Sequence, residues 1–162
     1  MIVFAHGLEG SPQGWKSQRL RGLGLPFSCL DLRGVPLQGR LEQVDEQTRG
    51  GGILLVGSSY GGLVAAVLAQ RHPERFTGLV LCAPALGLRE APTLAPETLV
   101  APAGIPTVVI HGLRDNVVPI EDSRRYVARS GAGVVLHEVD DGHPLRGSLD
   151  LLCRVVMDLG VG

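Results

Sequence analysis

Residues Gly52–His72 read GILLVGSSYGGLVAAVLAQRH, and this stretch decides the fold. An apolar run meets Gly57-Ser58-Ser59-Tyr60-Gly61, and a helical pattern follows at once. That is the sequence form of a nucleophile elbow, a sharp strand-to-helix turn that lifts one serine hydroxyl above a parallel sheet. The spacing has a steric reason. The serine backbone is held in a strained conformation, and side chains two residues before and after it would crowd the turn. With 23 Gly in the chain, chance supplies about 0.16 matches to G-x-S-x-G, so context must carry the assignment.

Outward from the elbow, β and α signals alternate without an internal repeat. Short apolar runs at Ile2–Ala5, Phe27–Asp31, Gly52–Val56, Gly78–Cys82, Thr107–Ile110 and Val134–Glu138 are expected to be strands buried on both faces. Ser11-Pro12 suits the N-cap and first position of a helix running toward Gly22. Leu63, Val64, Val67 and Leu68 mark one face of the helix after Ser59, which Pro73 ends. Glu121–Arg129 carries acids first and arginines last, with Gly131 beyond. Leu145, Leu149, Leu152, Val156 and Leu159 form a core-facing stripe in a last helix. Strands separated by helices imply about six mostly parallel strands with helices on both faces. Ligands of such sheets bind beyond the carboxyl ends of the strands. Between Ala85 and Pro106 there is room for a turn or two of helix at Ala95–Ala101 but none for a cap domain.

Ser59 is the candidate nucleophile, and a serine hydroxyl needs a base to take its proton. Ser58 occupies the less restricted position of the motif, and its side chain is expected to face away. His143 lies in a turn, Asp140-Asp141-Gly142-His143-Pro144, at the correct sheet edge to serve as that base. The other histidines fit less well. His72 ends a helix before Pro73, His137 lies inside a strand, His6 has a structural place, and His111 supports the turn toward Asp115. Asp115, in the loop after a strand, is the candidate acid that would hold the imidazole tautomer and stabilise its cation. Asp140 and Asp141 are the alternatives, but their closeness to His143 in sequence suits them better to shaping the turn.

The arrangement resembles the α/β-hydrolase superfamily over almost the whole chain. His6-Gly7 looks like the oxyanion-loop motif, Asp31-Leu32-Arg33-Gly34 resembles the D-x-R-G turn, and Gly57–Gly61 is the elbow. Arg75–Leu81, Ile105–Pro119 and Asp141-Gly142-His143 resemble the next strand, the acid-bearing loop and the histidine loop, in the family's order. The resemblance implies an α/β-hydrolase fold and an oxyanion hole made by the backbone N–H groups of Leu8 and Tyr60. It also implies structural roles for Asp31 and Arg33. The family's usual first two strands and its cap are missing, so the chain looks closest to the small lidless bacterial esterases.

Length and composition set the remaining expectations. A chain of 162 residues is expected to form a single domain, residues 1–162, burying about 70% of its unfolded surface. A net charge of −1 without a basic block argues against a nucleic-acid partner. The first residues lack a signal sequence, and no run is long enough to insert in a membrane. Cys29, Cys82 and Cys153 read as free, buried thiols of a reducing compartment, hence a cytoplasmic protein. No spacing suggests a metal site or a phosphate loop, and the triad would need no cofactor.

The function expected is a serine hydrolase acting on a small-molecule acyl substrate, a carboxylic ester or thioester, through an acyl-serine intermediate. The alternatives are a hydrolase of amide or C–C bonds and a non-catalytic small-molecule-binding protein of the same fold. Leu8, Trp15, Tyr60, Leu86, Leu88, Val117 and Leu145 are candidates to line an acyl pocket, though core is the commoner fate of such residues. Oligomeric state leaves no trace in the sequence.

Overall fold

The apolar runs pair into one sheet in which every strand is parallel to its neighbours. The computed structural model describes residues 1–161. In chain order the elements are β1 (Ile2–Ala5), α1 (Trp15–Arg21), β2 (Phe27–Ser28), α2 (Leu37–Thr48), β3 (Ile53–Ser58) and α3 (Tyr60–Arg71). They continue with β4 (Phe76–Cys82), β5 (Thr107–Gly112), α4 (Ile120–Ser130), β6 (Val134–Val139) and α5 (Leu149–Gly160). The sheet order is β2-β1-β3-β4-β5-β6. The chain therefore winds one way from β1 to β2 and the other way from β3 onward. A switch point of this kind opens a crevice outside the carboxyl ends of β1 and β3.

Alternation along the strands builds a core on each side of the sheet. Val3, Leu55, Leu79 and Val109 pack with α2, α3 and Tyr126 of α4. Ile2, Leu54, Val56, Val80 and Ile110 pack with Leu20 of α1 and Leu152, Val155 and Val156 of α5. Each fully buried leucine contributes about 1.5–3 kcal/mol relative to exposure, so the two layers hold the sheet from both faces. None of the described helices is long and apolar enough to cross a membrane.

Several elements depart from the sequence expectation. The α2 helix was not anticipated, because Gly39 interrupts it and Arg40 and Thr48 occupy buried positions alongside Leu37, Leu41 and Val44. The first helix begins at Trp15. Ser11 instead closes a turn, accepting from the Gln13 N–H on its hydroxyl and from the Gly14 N–H on its carbonyl. The β2 strand pairs over only two residues, and β6 is a half-exposed edge strand. Leu145 has φ 58°, so the last helix cannot reach back to it and starts at Leu149. At 95–101 there is a single 3-10 turn, Pro96–Thr98. The α3 helix is buried from Tyr60 to Ala69 rather than on one face, because the chain from Leu86 to Ala101 lies across its outer side. Of the three free cysteines only Cys82 is fully buried, and Cys29 and Cys153 are half-buried.

Candidate active site

The elbow is built by close contact. Ser59 has φ 54° and ψ −117°, a conformation that costs about 1–3 kcal/mol unless its surroundings enforce it. Here they do. A Cβ on Gly57 would lie 2.5 Å from the Gly61 carbonyl oxygen and 2.7 Å from the Ala65 Cβ. One on Gly61 would lie 2.7 Å from the His6 carbonyl oxygen and overlap the Ala5 carbonyl. Glycine at both positions lets α3 pack directly on the ends of β1 and β3. The Ser59 N–H donates to the Cys82 carbonyl at 2.9 Å, and its carbonyl accepts from Gly62 and Ala85. Its side chain stays partly exposed, whereas Ser58 is buried at the end of β3.

Ser59, His143 and Asp115 come together from three separate loops at the carboxyl edge. The His143 Nε2 lies 3.0 Å from Ser59 Oγ, and the His143 Nδ1 lies 2.7 Å from Asp115 Oδ2. Asp115 is acceptor-only when ionised, so the imidazole carries its proton on Nδ1 and presents a bare Nε2 to the serine. The other oxygen, Oδ1, accepts from the amides of Val117 at 2.9 Å and Val118 at 2.8 Å. Burial works to raise the Asp115 pKa, but these amides and His143 outweigh it and hold the carboxyl below its ordinary value. The carboxylate therefore stays charged where an imidazolium needs a counter-charge. Asp140 and Asp141 do other work. Asp140 pairs with Arg114, and Asp141 accepts from the Gly142 amide and the Ser148 hydroxyl, shaping the histidine turn.

The loop after β1, the candidate oxyanion loop, is braced by buried polar contacts. A Cβ on Gly7 would lie 3.1 Å from the Ser59 Cβ, so the backbone at Gly7 passes directly beside Ser59. His6 is buried, its Nδ1 lies 2.7 Å from the Gly7 carbonyl, and its Nε2 accepts from the Leu32 N–H at 2.9 Å. Burial chiefly lowers the His6 pKa, which suits a neutral ring acting as a strut. The amides of Leu8 and Tyr60 are not engaged by any backbone acceptor among the described residues. Tyr60 opens α3, where an N-terminal amide favours negative charge.

Sequence reasoning missed Arg40. It is fully buried, and its guanidinium donates to the carbonyls of Val35 at 2.9 Å, His6 at 2.7 Å and Leu32 at 2.8 Å. The group also lies 4.8 Å from the Tyr60 ring centroid. Arg40 thereby ties the loop after β1 to the turn after β2, and no motif in the sequence signals it. Asp31 and Arg33 form an exposed pair in that same turn, as expected of a structural D-x-R-G turn.

The candidate pocket residues divide. Tyr60, Leu86 and Leu145 are core, Trp15 is half-buried, and Leu8, Leu88 and Val117 are exposed. A cavity of about 440 Å³ beside the acid loop is lined by Leu113, Asp115, Asn116, Val117, Pro119, Ile120, Glu121 and Arg124.

Comparison with known proteins agrees with this architecture. A family model described as serine aminopeptidase, S33, matches residues 31–103, a little under half of the chain. No curated protein sequence matches. Among solved structures, an α/β-superfamily protein from Xanthomonas campestris pv. campestris superposes with a TM-score of 0.81 at 24% identity, covering 98% of this chain and 96% of that one. Paleococcus ferrophilus monoacylglycerol lipase gives a TM-score of 0.77 at 18% identity, with 99% and 93% covered. A structure from work on the metagenome-derived lipolytic enzymes LipS and LipT gives 0.76 at 16% identity, with 99% and 93% covered. The chain has the α/β-hydrolase fold, with no cap domain evident among the described residues. The partial family match is consistent with the α/β-hydrolase superfamily, and the solved structures, all under 25% identical, share its fold.

Proposed function

We propose that the protein is a serine hydrolase that cleaves a small carboxylic ester or thioester through an acyl-serine intermediate. The observation that carries this reading is the unbroken hydrogen-bonded line from Ser59 Oγ through His143 to Asp115 at the sheet edge. In the first half-reaction Ser59 Oγ attacks the acyl carbon while His143 Nε2 takes its proton. The Leu8 and Tyr60 amides stabilise the developing oxyanion, a contribution of about 2.7–4 kcal/mol per donor in comparable sites. The imidazolium, balanced by Asp115, then protonates the leaving alkoxide or thiolate. In the second half-reaction His143 activates water, which attacks the acyl-serine and releases the acid. Because His143 must be neutral to start, activity is expected to fall as the solution becomes acidic.

Substrate size follows from what covers the site. The segment after β4 packs its buried residues Leu86, Leu99 and Ala101 in the core with α3, and Leu8, Leu88 and Val117 face solvent. Each further methylene of an acyl chain gains about 0.8 kcal/mol only where a wall buries it. Short, water-soluble esters are the substrates this open mouth suits. A panel of p-nitrophenyl esters from acetate to palmitate, with Ser59→Ala as control, tests both points. The expected result is Ser59-dependent hydrolysis whose kcat/KM stops rising after a few carbons. A steady rise through the long chains would contradict the short-chain preference, and turnover by Ser59→Ala would contradict the reading itself. The serine aminopeptidase description of the matching family model favours one second reading, hydrolysis of an amide bond by the same residues. Aminoacyl p-nitroanilides in the same assay distinguish it.

A further inference from the structure

We propose that His111 is a positioning residue for the acid, a second imidazole set against the same Asp115 oxygen that meets His143. This rests on the triad reading above and extends it to residues that reading does not use. His111, on β5, is fully buried, and its Nε2 lies 3.0 Å from the Val118 carbonyl and 3.2 Å from Asp115 Oδ2. Both neighbours are acceptors, so Nε2 carries the proton; it donates to the Val118 carbonyl and turns its positive edge toward Asp115 Oδ2. The Nδ1 lies 2.7 Å from the Ser123 hydroxyl of α4, itself fully buried. With Nε2 protonated, Ser123 donates and Nδ1 accepts. The acceptors at Nε2 set the tautomer, and the Ser123 hydroxyl of α4 accordingly completes the contacts of the ring. Burial foremost lowers the His111 pKa, in keeping with a neutral donor that leaves the charge on Asp115.

The physical consequence is specific. Two amides hold Oδ1, and the His111 N–H edge lies against Oδ2, the same oxygen that faces His143 Nδ1. The donor also takes up part of the negative charge on Oδ2, which tempers how strongly Asp115 stabilises the His143 imidazolium. Nearby charges have other partners. Arg114 pairs with Asp140, Arg124 with Glu121 and Glu138, and Arg125 with Asp122, while Asp141 accepts from Ser148. Within hydrogen-bonding distance, Asp115 therefore answers to two amides, His143 and His111.

The test compares His111→Leu, which removes the donor, with His111→Gln, whose amide N–H reaches the Nε2 position. Ser123→Ala serves as a milder variant that should fold if His111→Leu does not. In His111→Leu, kcat on the best ester is expected to fall about 10-fold with KM little changed. The acid limb of its kcat/KM profile is expected to move to higher pH, because an untempered Asp115 stabilises the imidazolium more. The low-field proton resonance of the His143–Asp115 hydrogen bond is expected to shift with it. His111→Gln should restore all three, and Ser123→Ala should move them the same way by less. A loss of kcat with unmoved pH limb and unmoved resonance would mean that His111 only fills space, and would overturn the proposal. So would variants indistinguishable from the parent. The resonance is read without substrate, so it decides the matter even if the ester panel contradicts the proposed function.

Discussion

The turn after β3 passes from strand to helix through one residue, Ser59, while the chain after β4 takes Ala83–Pro106 to reach β5. Both leave the same edge of the sheet. The elbow is enforced by backbone contacts that admit no Cβ at Gly57 or Gly61. The longer segment is held by scattered anchors: buried Leu86, Pro96 and Leu99, the Tyr60 hydroxyl on Glu90 at 2.7 Å, and Arg129 on the carbonyls of Leu99 and Pro96. Its buried residues Leu86, Leu99 and Ala101 share a core with α3, which is buried nearly all round. The contrast teaches where this small fold is rigid and where it is open. Conformation is over-determined at Ser59, and the long connection after β4 packs its buried residues with α3.

The largest effect is expected where the rigid edge meets the chemistry. Asp115→Asn can keep its two amide bonds through Oδ1 but would turn an NH2 toward His143 Nδ1, forcing the wrong tautomer. A loss of kcat of up to ~10⁴-fold is expected with the fold retained, measured by steady-state kinetics and circular dichroism. Near-normal kcat would move the acid elsewhere and detach the acid loop from the site. Next comes Gly61→Ala, whose added methyl meets the backbone of Ala5 and His6. Overpacking against backbone should cost about 3 kcal/mol or more in urea denaturation. A tolerated alanine would show that the elbow is less constrained than its contacts indicate.

On the other side of the contrast, Tyr60→Phe removes the tether to Glu90. About 1 kcal/mol of stability should be lost, with kcat changed by less than about threefold, because the Tyr60 backbone amide is untouched. A large kcat loss would make the strap part of the site after all. The smallest effect is one of pH. Since the folded-state pKa of Asp115 is lowered, its ionisation stabilises the fold above the unfolded value of about 3.9, and that contribution disappears as pH falls through the lower folded value. The stability gap between the parent and Asp115→Asn should thus be constant at neutral pH and shrink below about pH 4. A gap that widens in acid would contradict the sign.

Much of this was legible because the residues that carry it also punctuate the chain. The glycines of the elbow, the loop after Ile110 and the Asp-Gly-His turn each sit at a strand end, so order and spacing alone bring Ser59, Asp115 and His143 to one edge. What was hidden lies in polar residues used as core. The α2 helix escaped notice because Arg40 and Thr48 interrupt its apolar stripe, and the same Arg40 proves to brace the loop after β1. Leu145 fits a helical repeat yet has positive φ, since the histidine turn needs it there. The link from Ser123 to His111 joins residues 12 apart whose partnership depends on how α4 packs on β5, which no periodicity encodes.

The proposal that the rigid elbow presents an activated serine is open to test on intact protein treated with a fluorophosphonate probe and mapped by peptide mass spectrometry. A single adduct on Ser59, lost in Ser59→Ala and strongly slowed in His143→Ala, is the expected result, because only a base-activated serine beside an oxyanion hole reacts rapidly. An adduct on Ser58, or folded protein that takes up no probe, would contradict it.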